Sequence, residues 1–279
     1  MFGRRPDATL ANVPPMRRIM PFISPRRNDS VFHLAQDFDL EPAFEFLDKH
    51  NRERPPERPV TIFHLLLRSC SQALQLRPGV NRFVAGGRLW QKHDVFLTFS
   101  ALREIADGAR MITIKRRFVP EAESLDEMVD GIYGMLRPAR AGVQSTADKE
   151  TNLLLRLPVF LTSLLVRGAD LADRLGLLPR VMIDSDPLFC SIFFGNIGSV
   201  GHPAGFHHLW EHGSCSIFCV VGKIEPRANG RRGMTVCWTY DERIEDGIYS
   251  AVTLAGIKAR LEKPELLLLR TGELASRRD

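Results

Sequence analysis

The run SCSIFCVVG, Ser214 to Gly222, carries no charged residue, and the alternating run MTVCWTY, Met234 to Tyr240, follows it closely. Residues of this kind on both sides of a strand are stable only when both faces are covered, so the two runs read as interior strands of a sheet. LFCSIFFGNIG, Leu188 to Gly198, is of the same type. RVMIDSD (180–186), VFHLAQDFDL (31–40), DVFLTFSAL (94–102) and RMITIKRRF (110–118) also read as strands, and a short hairpin is expected around Gly86-Gly87.

The cover for such a sheet is visible as well. EPAFEFLDKHN has Pro42 in a helical first turn. TIFHLLLRSCSQALQL has helical spacing behind Thr61 as N-cap. SLDEMVDGIYGMLRPAR opens with Ser124 and Glu127 at capping-box spacing. DGIYSAVTLAGIKARLE is amphipathic and stops before Pro264. Strands mixed with helices predict an α/β, two-layer architecture, a mixed sheet with helices packed on it.

The 279 residues, 44% of them hydrophobic, suffice for one domain with a core. The formal charge of +5 comes from scattered arginines, densest at Arg4, Arg5, Arg17, Arg18, Arg26 and Arg27. A solvated arm with a few structural ion pairs is the expectation, with no nucleic-acid partner. Five cysteines in no ligand spacing predict neither a metal site nor a disulfide frame, and a reducing cytoplasm as the location. The longest apolar stretch, from Leu153, is interrupted by Arg156, Pro158 and Arg167. That excludes a spanning helix of about 20 apolar residues; a buried core helix over roughly 153–178 is the expectation, with an interfacial membrane helix or a lid over an apolar pocket as the alternatives.

Several segments occur in an informative order: MRRIMPFISPRRND, QDFDL, TIFHLLLRSCSQALQLRPGVNRFV, FFGNIGSVG, HHLWEHGSCSIFCVVGKIE, DERIEDG and LEKPELLLL. The series resembles the catalytic domain of the dihydrolipoamide acyltransferases of 2-oxoacid dehydrogenase complexes and, more remotely, chloramphenicol acetyltransferase. The resemblance runs from about Arg17 to about Leu269. With it the chain divides into a basic arm, 1–16, an acyltransferase-like domain, 17–270, and a polar tail, 271–279. It implies the chloramphenicol acetyltransferase-like fold, a homotrimer with active sites between subunits, and an acyl ligand on coenzyme A or a dihydrolipoamide, with no covalently bound cofactor. The terminal Leu266–Leu269 resembles the hook that joins family trimers into cages. The residues before Arg17 leave no space for a lipoyl module, so acyl groups are expected to arrive on free coenzyme A or a separate carrier.

The family motif is D-H-R-x-x-D-G, in which the histidine is the base and the second aspartate pairs with an arginine of the N-terminal region. Asp241, Arg243, Asp246 and Gly247 match it, and Glu242 stands at the histidine position. The resemblance pairs Asp246 with Arg17 or Arg18. The oxyanion donor of the family pattern S-N-L-G falls on Gly195, followed by Asn196. A glutamate of ordinary pKa is a weak base for a thiol, and loss of an oxyanion donor lowers a rate roughly 100- to 1000-fold. The expectation is therefore a degenerate site that binds an acyl or coenzyme A-like ligand or serves as a scaffold. The alternative is an active acyl-coenzyme A-dependent enzyme with Glu242, His208 or His207 as base. His212 beside Cys215 is a further candidate pair, read as structural because Cys215 lies in an apolar strand.

Overall fold

The computed structural model describes residues 4–102, 111–142 and 154–276. In chain order its strands are β1 (Ala8–Leu10), β2 (Val31–Asp39), β3 (Arg82–Ala85), β4 (Arg88–Lys92), β5 (Val95–Leu102), β6 (Met111–Phe118), β7 (Ile192–Asn196), β8 (Ile217–Pro226) and β9 (Arg232–Asp241). The helices are α1 (Pro15–Ile23), α2 (Glu41–His50), α3 (Ile62–Leu76), α4 (Leu125–Arg140), α5 (Val159–Arg174), α6 (Arg180–Ser185), α7 (Gly247–Glu262) and α8 (Thr271–Ser276).

Six strands form one mixed sheet in the order β2-β9-β8-β7-β5-β6. β7 runs parallel to both neighbours, with Thr98 opposite Phe193 and Phe193 opposite Phe218; the other pairs are antiparallel. The alternation of each strand sorts its residues onto two faces. One face sets Leu97, Phe194, Cys219, Val236 and Trp238 against α2, α3, α4 and α7, which makes the main core. The opposite face carries Phe193, Phe218, Val220 and Cys237, and it is covered by Leu209 and Trp210 of the crossover between β7 and β8. The segments SCSIFCVVG and MTVCWTY are thus buried on both sides, as their composition demands.

Helix α3 is buried nearly all round, including Arg68, Ser69 and Gln72. Buried polar groups need partners, and these side chains hold the C-terminal segment. Arg68 Nε donates to Leu267 O at 3.2 Å and Nη2 to Leu269 O at 3.0 Å, while Gln72 Nε2 donates to Leu269 O at 2.9 Å. Leu267 lies in the main core, and Leu268 remains 44% exposed. Leu266–Leu269 is thereby anchored on its own subunit.

Most described residues of the arm are exposed, and its fixed points are β1, which pairs with β4 in a small sheet, and buried Arg5, which bridges Asp7 and Asp173 and lies over the Phe83 ring. Three expectations are corrected. The polar tail begins as α8, with Thr271 and Leu274 buried. RVMIDSD is helix α6, because a short apolar run is compatible with either period; Pro179 opens it and Arg180 pairs with Asp184 one turn on. The apolar stretch from Leu153 does not enter the core. Within α5 only Asp173 is buried, and contact with the body runs through the small side of the helix, Ala169 and Ala172 against Leu178, Ile183 and Phe189.

Replacing Arg68 with alanine strips the Leu267 carbonyl of its side-chain donor and leaves Leu269 O with Gln72 alone. A loss on the order of 3 kcal/mol is expected, read as a lower urea midpoint with the fold retained.

Candidate functional site

The segment DERIEDG follows directly from β9, and its backbone conformation is set by one buried ion pair. Asp241 is the last residue of the strand, fully buried on the face opposite the main core. Arg243 turns back onto it, Nε to Oδ1 and Nη2 to Oδ2, both at 2.8 Å. The remaining nitrogen, Nη1, donates to the carbonyls of Ser24 at 2.9 Å and Pro25 at 3.0 Å. The bidentate geometry neutralises both charges where water is excluded. It also ties the end of β9 to the chain leaving α1.

The resemblance pairs Asp246 with Arg17 or Arg18; the geometry does otherwise. Asp246 is the N-cap of α7 and accepts the Tyr249 amide at 2.7 Å. That role follows from local sequence, since an aspartate just ahead of a helix satisfies an otherwise orphaned amide. Arg17 reaches the motif at a different atom, donating from Nη1 to the carbonyl of Glu242 at 2.8 Å. Arg18 donates to Val13 O at 2.9 Å. The side chain of Glu242 points to solvent, and its amide donates to Ser30 O at 2.9 Å.

Gly195 lies on the second face of the sheet. A Cβ there would stand 3.4 Å from the edge of the Phe218 ring, an ordinary contact, so the position tolerates a small side chain. The hydroxyls nearest in sequence are engaged elsewhere: Ser191 Oγ accepts the Phe96 amide at 3.2 Å, and Ser199 Oγ donates to Asn196 O at 2.7 Å. Asn196 caps the turn after β7 through its side-chain oxygen, which accepts the Ser199 amide. His207 stacks on Phe218 with centroids 4.0 Å apart, and His208 stacks on His207 at 4.4 Å. A carbonyl only accepts, so the 2.6 Å contact of His207 Nδ1 with His208 O places the proton on Nδ1 and leaves Nε2 with a lone pair when the ring is neutral. His208 is exposed. Gly195, Phe218 and His207 therefore form one contiguous group on the second sheet face, while Glu242 belongs to the turn after β9 beside Ser30 and Arg17.

A cavity of about 350 Å³ opens between the α1 region, the β3–β4 turn, α5 and residues 211–213. Arg27, Glu211, Asp170, Arg174 and Arg243 line it, and the expected site histidines do not. Arg27 is buried; it donates to the carbonyls of Trp210 and, at 2.9 Å, of Gly213, and its Nε has no partner. Arg243 connects the motif to this cavity. Its match to the motif arginine was the available sequence signal; the participation of Arg27 and Glu211 arises only from the folded path.

His212 borders the same region but cannot take a proton. Its Nδ1 contacts Asp170, and its Nε2 lies 2.8 Å from Asp186. Hydrogen bonds to Asp186 and then Asp170 hold the ring as imidazolium, pushed up to about 9 from the usual 6.5. Cys215 is buried and donates to Ile217 O at 3.2 Å, so His212 and Cys215 form no nucleophile–base pair. No group of ligating side chains suited to a metal occurs among the described residues.

This fold is shared with known structures. A probable dihydrolipoamide acetyltransferase from Listeria monocytogenes 4b F2365 aligns at a TM-score of 0.58 and 17% identity, over 91% of this chain and 94% of that one. The cubic core of a pyruvate dehydrogenase multienzyme complex aligns at a TM-score of 0.59 and 16% identity, over 94% and 95%. A chloramphenicol acetyltransferase aligns at 0.55 and 12% identity, over 91% and 99%. No protein-family model matches the sequence, and no curated protein does either. At these identities the correspondence is one of fold.

Two outcomes follow from the geometry. Asp241→Ala leaves the Arg243 guanidinium buried without its counterion and should lower stability by about 3–5 kcal/mol in denaturant titration. The pKa of His212 is raised above its unfolded value. Its contribution is therefore complete below about pH 6.5 and is lost as pH climbs through about 9. Melting temperature should fall across that window in the native protein, with a smaller fall in His212→Gln.

Proposed function

We propose that this chain is an acyltransferase-fold protein whose proton-transfer and oxyanion steps are absent, and that it binds an acyl or coenzyme A-like ligand without turning it over. The observation that carries the reading is the environment of Glu242. The position of the family base is held by a glutamate that is exposed on this chain, and histidine is the side chain suited to taking a proton from a thiol near neutral pH. Gly195 supplies no side-chain donor, the Ser199 hydroxyl donates to Asn196 O, and Ser191 is buried four residues away with its Oγ against the Phe96 amide. Of the guanidinium groups bordering the cavity, Arg27 keeps one buried nitrogen, Nε, without a partner, a donor for an anionic ligand beside the carboxylates of Asp170, Asp173 and Glu211.

The proposed assembly is a homotrimer in the cytoplasm. In support, α1 leaves Met16, Ile19, Phe22 and Ile23 exposed on one element, an apolar surface that a neighbouring subunit would cover. Any larger cage would have to use the exposed Leu268, since Leu267 is committed to its own core. Among the described residues no helix is long and apolar enough to cross a membrane.

One observation favours a second reading, in which the protein is an active transferase with a relocated base. His207 keeps a free Nε2 one ring away from Gly195 through Phe218.

Calorimetry with coenzyme A and thiol release from acetyl-coenzyme A, measured on the same preparation, separate the two. Saturable binding with thiol release at background, unchanged in Glu242→Gln, is the expected result. Rapid release that drops by about 100-fold or more in His207→Ala or Glu242→Gln overturns it in favour of the enzyme.

A further inference from the structure

Helix α5 presents an apolar line to solvent. Phe160, Leu164 and Leu171 are 74%, 64% and 58% exposed. Their spacing at i, i+4 and i+11 puts them on one side of the helix. Val159 at its first position and Leu155 just before it extend the apolar surface, at 86% and 68% exposed. A monomeric surface seldom concentrates so many large apolar side chains on one element.

The charges around this line have a single sign. Arg156, Arg167 and Arg174 are exposed, and none forms an ion pair among the described residues. The two carboxylates of α5 face the body instead, Asp170 toward His212 and Asp173 toward Arg5 at 2.6 Å. The same two ion pairs fix the helix on the domain, so the outer face is held in place before any partner arrives. Within α5 the inward side has taken the acids and the outward side has kept Arg167 and the large apolar groups, with the exposed Arg174 at the boundary beside the cavity it borders.

We infer that the outer face of α5 docks on an anionic lipid surface. The helix would lie in the plane of the interface, with Phe160, Leu164 and Leu171 at the acyl boundary and the arginines on lipid phosphates. At 16 residues it is too short to span the bilayer. A symmetric contact between two copies through this face is disfavoured by the same charges. It would bring Arg167 and Arg174 against their own images, with the acids of α5 turned away. A phosphate-bearing surface instead supplies the counter-charge that the helix face lacks. The inference is independent of whether the protein transfers acyl groups.

Sedimentation of the full chain with phosphatidylcholine vesicles, with and without about 30 mol% phosphatidylglycerol, tests it. Binding is expected with the anionic vesicles alone and should weaken as salt rises. Phe160→Glu/Leu164→Glu should abolish it, and Arg167→Glu/Arg174→Glu should weaken it by about thirtyfold or more. Circular dichroism and solution mass should be unchanged in both variants, because the altered side chains lie outside the core. Absence of binding to anionic vesicles, equal binding to neutral ones, or full binding by either variant overturns the inference. So does a fall in solution mass for Phe160→Glu/Leu164→Glu without vesicles, which would make α5 a contact between copies.

Discussion

The buried pair of Asp241 and Arg243 is the constraint on which the geometry of the candidate site depends. Two opposite charges at the end of an interior strand are tolerable only if each satisfies the other and every leftover donor finds an acceptor. Asp241 takes two nitrogens of Arg243, and the third goes to Ser24 and Pro25. The last strand of the sheet and the first helix of the domain are therefore locked at one point. The turn that carries Glu242 hangs from that lock, with its backbone held by Ser30 and Arg17. The turn keeps its place with a glutamate at its tip, where the resemblance places a histidine. The shape of the turn rests on Asp241 and Arg243, and the Glu242 side chain takes no part in holding it.

The small β1-β4-β3 sheet and α5 are joined to the main body by the same kind of bond. Arg5 connects β1 to Asp173, and His212 connects the β7–β8 crossover to Asp170. Helix α5 contributes little apolar burial of its own, so these charged contacts do much of the work of keeping it docked. Ion pairs of this sort are directional. They set the rotation of α5 about its axis, which a greasy contact through Ala169 and Ala172 would leave loose.

What could be read from the sequence was what local physics decides. Thr61 and Ser124 cap their helices because the capping groups lie within one turn of each other. The interior strands were legible because a strand covered on both faces needs apolar residues at every position. The six-residue RVMIDS was not, since its run is too short to distinguish period two from period 3.6. The apolar stretch from Leu153 misled for a different reason: hydrophobicity reports a preference for burial, not which surface supplies it. The family pattern also concealed a local signal. Asp246 just ahead of α7 has the form of an N-cap, and that is the role it takes. The cavity lined by Arg27, Asp170, Glu211 and Arg243 was illegible because its walls come from segments far apart in the chain.

The ion pair of Arg5 with Asp173 joins residues 168 positions apart, and among the described residues β2 pairs in the main sheet with β9. Both links have a consequence for how the molecule is made. During synthesis β1 emerges with a guanidinium whose partner has not yet been translated, and β2 emerges with an edge that stays unpaired until nearly the end. Contacts this distant in sequence close late and slowly. Completion of the fold therefore waits for the same segment that ends in DERIEDG.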